Sequence, residues 1–228
     1  MDVSIADNLM AVQREVTGAA LKAGRNPDSV QIIAVTKNVA VERAKEAAAA
    51  GFLHLGENRV QELQHKAPLI PGVRWHLIGH LQSNKVKYMI DKVHLVHSLD
   101  RWSLAVELDR RAREQDRVMP VLVQVNVAGE ETKFGLQVSE VRDFVMDAAD
   151  LKGIQIQGLM TIAPLVENPE EGRPVFRETK RIFDRLREIP RVQMEQLSMG
   201  MTNDYPVAIE EGATMVRIGT AIFGRREY

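Results

Sequence analysis

Two runs near the end of the chain decide the reading: Gln196-Leu-Ser-Met-Gly-Met-Thr-Asn-Asp204 and Met215-Val-Arg-Ile-Gly-Thr-Ala-Ile-Phe-Gly224, joined by a helix-like run from Pro206 to Gly212. The apolar residues around Leu197 and from Met215 to Ile218 read as short strands. Each leads into a small polar turn, Ser198-Met-Gly200-Met-Thr202 in one case and Gly219-Thr220 in the other. Glycine lets a backbone come close to a ligand, and Ser and Thr hydroxyls add donors. A strand, such a turn and a helix start leave backbone N–H groups without partners, which suits an anion. Two of these on successive units suggest one phosphate group gripped from two sides. In a (β/α)₈ barrel the loops after strands seven and eight are the usual place for it. That expectation needs six more strand–helix units upstream.

Those units are present. Ser4 to Gly24 reads as an amphipathic helix on Ile5, Leu9, Val12, Val16, Ala19 and Ala20. Strands follow at Val30 to Thr36, Phe52 to Gly56, Val73 to Ile78, Val93 to His97, Val121 to Val127 and Ile154 to Ile162. Between them come helical runs from Val41, Val60, Ser83, Asp100, Ser139 and Pro174, with Ser83, Asp100 and Ser139 as expected N-caps. Regular strand–helix alternation means a parallel sheet covered by helices. Eight units in 228 residues favour a closed α/β TIM barrel, with an extra N-terminal helix and residues 1–228 as a single domain. The alternative is an open Rossmann-type sheet. Its glycine fingerprint does not follow the first strand, where Ala34-Val-Thr-Lys-Asn stands instead.

Composition closes off several classes of function. The chain has no cysteine, so disulfides, thiol nucleophiles and cysteine metal sites are excluded. Net charge is −1, and the Arg-rich run from Arg173 to Arg191 is interleaved with Glu178, Asp184 and Glu188, so nucleic acid is not an expected partner. The N-terminus reads as no signal peptide, and no run reaches the ~20 apolar residues of a membrane span. A cytoplasmic protein is expected. His76 and His80 lie on a strand and its following turn, no His-Glu-x-x-His occurs, and no metal site is expected.

The C-terminal strand ends form the working face of such a barrel. In order they carry Lys37, Glu57-Asn58, His80, Ser98, Asn126, Met160-Thr161, Ser198, and Arg217 with Gly219-Thr220. Lys37 shares strand parity with Ile33 and Val35, so it points into the mouth or snorkels to solvent. An amine above an apolar interior, opposite a phosphate site, suggests a phosphorylated aldehyde held as a Schiff base. Pyridoxal 5′-phosphate fits, as does an aldolase substrate. Arg217 reaches the barrel centre, where it either donates to a pyridine nitrogen or forms a structural ion pair. Glu57 is open between a general base and a helix-start carboxylate.

Seven stretches together resemble the pyridoxal phosphate homeostasis proteins, the YggS/PROSC family. They are Ile33-Ala-Val-Thr-Lys37, Phe52 to Glu62, Trp75 to Lys85, Lys133-Phe-Gly-Leu136, Gly158-Leu-Met-Thr161, Ser198-Met-Gly-Met-Thr202 and Met215 to Gly224. The resemblance implies a fold like the N-terminal barrel of alanine racemase, the type III fold of pyridoxal phosphate proteins. It implies Lys37 as the Schiff-base lysine. It further implies Ser198, Gly200, Gly219 and Thr220 around the phosphate, Arg217 at the pyridine nitrogen, and Asn58, His80 and Met160 near the ring. It implies a carrier or regulator in intracellular vitamin B6 homeostasis, with pyridoxal phosphate-dependent enzymes as recipients and no robust turnover. Thr202-Asn203 stands where the family commonly has Ser followed by Asp or His, which keeps the hydroxyl. The competing class is an amino-acid racemase or decarboxylase of the same fold type. The chain's end at Tyr228 and the lack of an evident second acid/base group favour the carrier, acting as a monomer.

Overall fold

A computed structural model describes residues 4–130 and 132–224. Its eight strands close into a parallel barrel in chain order: β1 (Gln31–Val35), β2 (His54–Glu57), β3 (Arg74–Leu77), β4 (Val93–Leu99), β5 (Met119–Gln124), β6 (Ile154–Met160), β7 (Gln196–Met201) and β8 (Met215–Ile218). β8 returns to pair with β1, Ile33 opposite Arg217 and Ala34 opposite Ile218, which excludes the open sheet.

The helices are α1 (Ile5–Lys22), α2 (Val41–Ala49), α3 (Val60–Lys66), α4 (Trp102–Arg113), α5 (Val141–Ala148), α6 (Arg173–Leu186), α7 (Tyr205–Glu210) and α8 (Thr220–Phe223). α1 behaves as its sequence implies. The Ser4 side chain accepts the Asp7 N–H, and Ile5, Leu9, Val12, Val16, Ala19 and Ala20 are its buried stripe. The other expected caps fail for identifiable reasons. Ser83–Tyr88 is a 3₁₀ helix whose cap position is Gln82. Asp100 spends its carboxylate on Arg101 and His80, leaving Arg101 at the cap of α4. Glu140, not Ser139, precedes α5.

Strand alternation divides the buried residues into two cores. Ala34, Leu55, Trp75, Leu77, Val121, Val123, Leu197, Val216 and Ile218 pack outward against the helices. Ile33, Leu95, Leu122, Met160 and Met215 form a separate apolar cluster inside the barrel. The rest of the interior is polar. His54, His76 and His97, with Ser198 and Arg217, are buried side chains on β2, β3, β4, β7 and β8. Buried polar groups persist only when hydrogen-bonded, and this seam satisfies itself, as described below.

Candidate binding site at the C-terminal mouth

A cavity of about 300 Å³ opens where the strands end. Lys37, Asn58, Thr202, Asn203, Arg217 and Thr220 supply most of its polar lining, with Ile162, Leu165 and Val166 as apolar wall. The volume lies at the lower end of the ~300–1,000 Å³ usual for small-molecule sites.

The chain on both sides of Lys37 is clamped. Before it, the Thr36 hydroxyl donates to Glu57 Oε1 at 2.6 Å, and the Thr36 carbonyl accepts Lys66 Nζ at 2.6 Å. After it, Asn38 stands at φ +57°, a left-handed conformation that asparagine tolerates, and its N–H donates to Glu62 Oε2 at 2.7 Å. Lys66 also pairs with Glu57 at 2.8 Å, both side chains buried. Glu57 therefore serves this clamp, buried and outside the cavity lining. Burial raises its pKa, against the hydrogen bonds from Lys66 and Thr36. These bonds fix the backbone on both sides of Lys37 at the rim of the cavity that its side chain lines.

Opposite Lys37, β7 and β8 deliver their turns side by side. The register between them shifts from Ser198↔Met215 to Met201↔Arg217, so β7 bulges at Met199-Gly200. Gly200 sits at φ +90°, and a Cβ there would lie 2.6 Å from the Ala208 Cβ and 2.9 Å from the Tyr205 Cα. Glycine is thus what allows α7 to fold back onto its own strand. The Asp204 carboxylate accepts the Met201 N–H at 2.6 Å and holds the Thr202-Asn203 turn. Burial raises the pKa of Asp204. On the neighbouring strand, Gly219 and Thr220 lead straight into α8, whose first N–H groups have no intrahelical acceptor.

Arg217 crosses beneath these turns. Its NH1 donates to Ser198 Oγ at 2.6 Å and its NH2 to the Thr161 carbonyl at 2.9 Å. Burial lowers its pKa to about 10, with Asp204 opposing, so it stays cationic at neutral pH. From Ser198 the polar seam continues down the barrel. Ser198 Oγ meets His97 Nδ1 at 2.9 Å, His97 Nε2 meets His76 Nδ1 at 2.8 Å, and His76 Nε2 meets His54 Nδ1 at 2.9 Å.

Burial lowers the pKa of all three rings, to about 4 for His54, with the Coulomb field of Arg74 next for His54 and of Arg217 next for His97. A histidine depressed in the folded state contributes stability above its unfolded pKa, and that stability is lost as pH falls. Each such ring should remove about 1.4 kcal/mol per pH unit below ~6.5. Glu57 and Asp204, raised by burial, act with the opposite sign. The expected result is a steeper loss of stability between about pH 6.5 and 5 in wild type than in His54→Gln, by about one ring's worth. Denaturant titrations at stepped pH measure it, and identical slopes would contradict the neutral buried ring.

The cavity brings together Lys37, Asn58, Arg217, Gly219 and Thr220 of the residues singled out from sequence. The others stand elsewhere. Ser198, expected at the phosphate, lies within β7 and is fully buried, with its hydroxyl on Arg217 and His97. Gly200 shapes β7 against α7 and is not part of the cavity wall. Met160 belongs to the apolar cluster inside the barrel. His80 is outside the cavity lining, stacked on Phe134 at 3.8 Å between centroids and bonded to Asp100 at 3.2 Å. Sequence reasoning missed the 162–169 wall, whose apolar Leu165-Val166 between Pro164 and Pro169 was the available signal. Among the described residues no His, Asp and Glu group has metal-holding geometry, and no helix is long and apolar enough to cross a membrane.

Comparison with known proteins agrees with this architecture. Residues 8–227 match the family model of the alanine racemase N-terminal domain. The pyridoxal phosphate homeostasis protein of Aquifex aeolicus is 42% identical over 99% of this chain and all of its own length. PipY of Synechococcus elongatus is 37% identical, over 97% of this chain and all of its own, with a TM-score of 0.87 for the structure without PLP. Its structure with PLP bound superposes with a TM-score of 0.84. A full-length relative at 42% identity and the matching family model make this chain a member of the pyridoxal phosphate homeostasis protein family.

Proposed function

We propose that this protein binds pyridoxal 5′-phosphate at the C-terminal mouth and acts as its carrier or regulator in intracellular B6 homeostasis. One observation carries the reading: a clamped lysine, a buried arginine and two hydroxyl-bearing turns share one cavity of about 300 Å³. The donor set fits the molecule part by part. Lys37 offers the amine for the aldehyde carbon. Thr202, Asn203, Gly219 and Thr220 offer hydroxyls and backbone N–H groups for the phosphate, where helix starts favour an anion. Arg217 offers a permanent donor to the pyridine nitrogen. The bound cofactor supplies an electrophilic carbonyl and a conjugated ring.

The chain's own residues limit what that ring does. Arg217 keeps its proton, so a pyridine nitrogen placed against it would stay unprotonated and the bound ring would be a weak electron sink. Storage and delivery suit such a site better than carbanion chemistry. Thr202 replaces Ser198 as the hydroxyl of the β7 turn, because only Thr202 lines the cavity. Recipient pyridoxal phosphate-dependent enzymes and a monomeric, cytoplasmic state belong to the same proposal.

Borohydride treatment of the loaded protein tests it. The pyridoxyl label is expected on the peptide containing Lys37, and mass spectrometry reads the position. A label found mainly on Lys85 or Lys133 would remove Lys37 from its role.

A further inference from the structure

The opposite end of the barrel holds a second cavity of about 410 Å³. It lies between the starts of β1, β2 and β3 and the face of α1, far along the histidine seam from Arg217. Gln13, Gln31, His54 and Arg74 are its polar lining, and no aspartate or glutamate contributes. The Arg74 side chain is exposed, and among the described residues no hydrogen bond or ion pair reaches its guanidinium. The Gln13 amide is equally unengaged.

The seam decides what His54 presents there. A guanidinium has donors and no acceptor, so Ser198 Oγ accepts from Arg217. The serine hydrogen then goes to its other partner, His97 Nδ1. His97 must carry its proton on Nε2 and donate to His76 Nδ1. His76 in turn donates from Nε2 to His54 Nδ1. Each ring is neutral, so the remaining proton of His54 lies on Nε2, which has no partner among the described residues. A donor-only residue at one mouth thus fixes a donor at the other.

We propose that this N-terminal cavity is a second binding site, taking a small oxyanion (a phosphate or carboxylate group) through Arg74, the Nε2–H of His54 and the Gln13 amide. Every unengaged polar group named is a donor or carries one, and the charge nearby is positive. His94 stands beside the seam, its ring 6.1 Å from that of His54 and 5.7 Å from that of His76. Burial first, then Arg74 and Arg117, lowers its pKa, so the mouth's field already disfavours added positive charge. An anion relieves that field. The proposal does not depend on the cofactor reading, since the two cavities share no residue.

The test is histidine ¹⁵N NMR of the full chain, titrated separately with inorganic phosphate and with acetate at constant ionic strength. Without either anion, His54 should show the Nε2–H tautomer. Signals of His54 and His94 should then shift saturably, and the anion that saturates first names the preferred group. Arg74→Gln, at an exposed and unpaired position, should weaken that binding at least about tenfold, equivalent to 1.4 kcal/mol. Backbone shifts at Thr202 and Thr220, which report the other mouth, should persist in that variant. Loss of those shifts alone would strike the cofactor site and leave this one standing. An Nδ1–H tautomer at His54, no saturable shift with either anion, or an unchanged response in Arg74→Gln would overturn the proposal.

Discussion

Lys37→Ala is expected to give a protein that borohydride no longer labels at this position, yet that still binds pyridoxal 5′-phosphate at about micromolar Kd, equivalent to ~8 kcal/mol. The variant would remove the covalent link that the proposed function assigns to Lys37, and it leaves the other lining residues in place. Thr202, Asn203, Gly219 and Thr220 would still offer their donors to a phosphate, and Arg217 is still held by Ser198 and the Thr161 carbonyl. Hydrogen bonds to a charged group contribute roughly 1.5–3 kcal/mol each, so three or four reach that range. The clamp on Thr36 and Asn38 uses backbone atoms and the Thr36 side chain, so the loop keeps its shape without the lysine. The reciprocal variant, Thr202→Ala with Thr220→Ala, should lose phosphate capture and keep a labelled Lys37 when supplied with unphosphorylated pyridoxal. Equilibrium dialysis of both variants against both forms of the vitamin separates the contributions. No binding by Lys37→Ala at millimolar cofactor would mean that the covalent link dominates and that the C-terminal turns contribute little.

Gly158→Ala is expected to lose more than about 4 kcal/mol of stability, beyond the usual range for a point substitution. Gly158 sits inside β6 at φ +152°, paired with Gln196 of β7. A Cβ built there lies 1.7 Å from the Gln196 carbonyl oxygen and 2.7 Å from its carbonyl carbon. Both are backbone atoms of a ladder in a closed barrel, so neither strand can yield without opening its other neighbour. Gly18→Ala is the control. It lies on α1 with nothing within 4 Å of its Cβ position, and alanine there should stabilise by up to about 1 kcal/mol. Urea unfolding of the two variants reads the contrast. A Gly158→Ala chain that loses less than about 1 kcal/mol would show that the β6–β7 contact relaxes far more than a barrel should.

The barrel was legible because its signals are periodic. Short β-branched runs such as Val121-Leu-Val-Gln-Val alternate with capped or Ala-rich helical runs, and one domain accommodates eight such units. The places of Lys37, Arg217 and the Gly219-Thr220 turn in the cavity lining were legible from their position at strand ends, while parity alone left Lys37 open between the mouth and solvent. Ser198 was not, because the strand was expected to end at Leu197. It continues to Met201 through a bulge, and that extra length turns the serine hydroxyl inward. Asp100 and Ser139 were plausible caps by residue type, but capping is a competition, and Asp100 is engaged by Arg101 and His80. The histidine seam left a signal that was not used. His54, His76 and His97 recur at the spacing of one strand–helix unit, which stacks them on three neighbouring strands. Reading His76 against His80 by local spacing hid that pattern.

The pairing of β1 with β8 has a consequence for how the protein comes into being. Ile33 lies opposite Arg217, so the strand that precedes Lys37 and the strand that leads to Gly219-Thr220 are the first and last of the barrel. Synthesis runs from N- to C-terminus at ~5–20 residues per second. The lysine therefore leaves the ribosome many seconds before its counterpart turn exists. No partly made barrel holds both sides of the cavity, so at the proposed site a nascent chain would offer a ligand only a solvated amine. On the proposed function, occupancy would begin only when the seam between first and last strands closes, and the ligand would then act as a bolt across it. At a free concentration of 100 Kd that bolt adds about 2.7 kcal/mol against reopening. The vitamin would then mark finished copies of the protein and, by the same coupling, protect them from proteases that attack the open form.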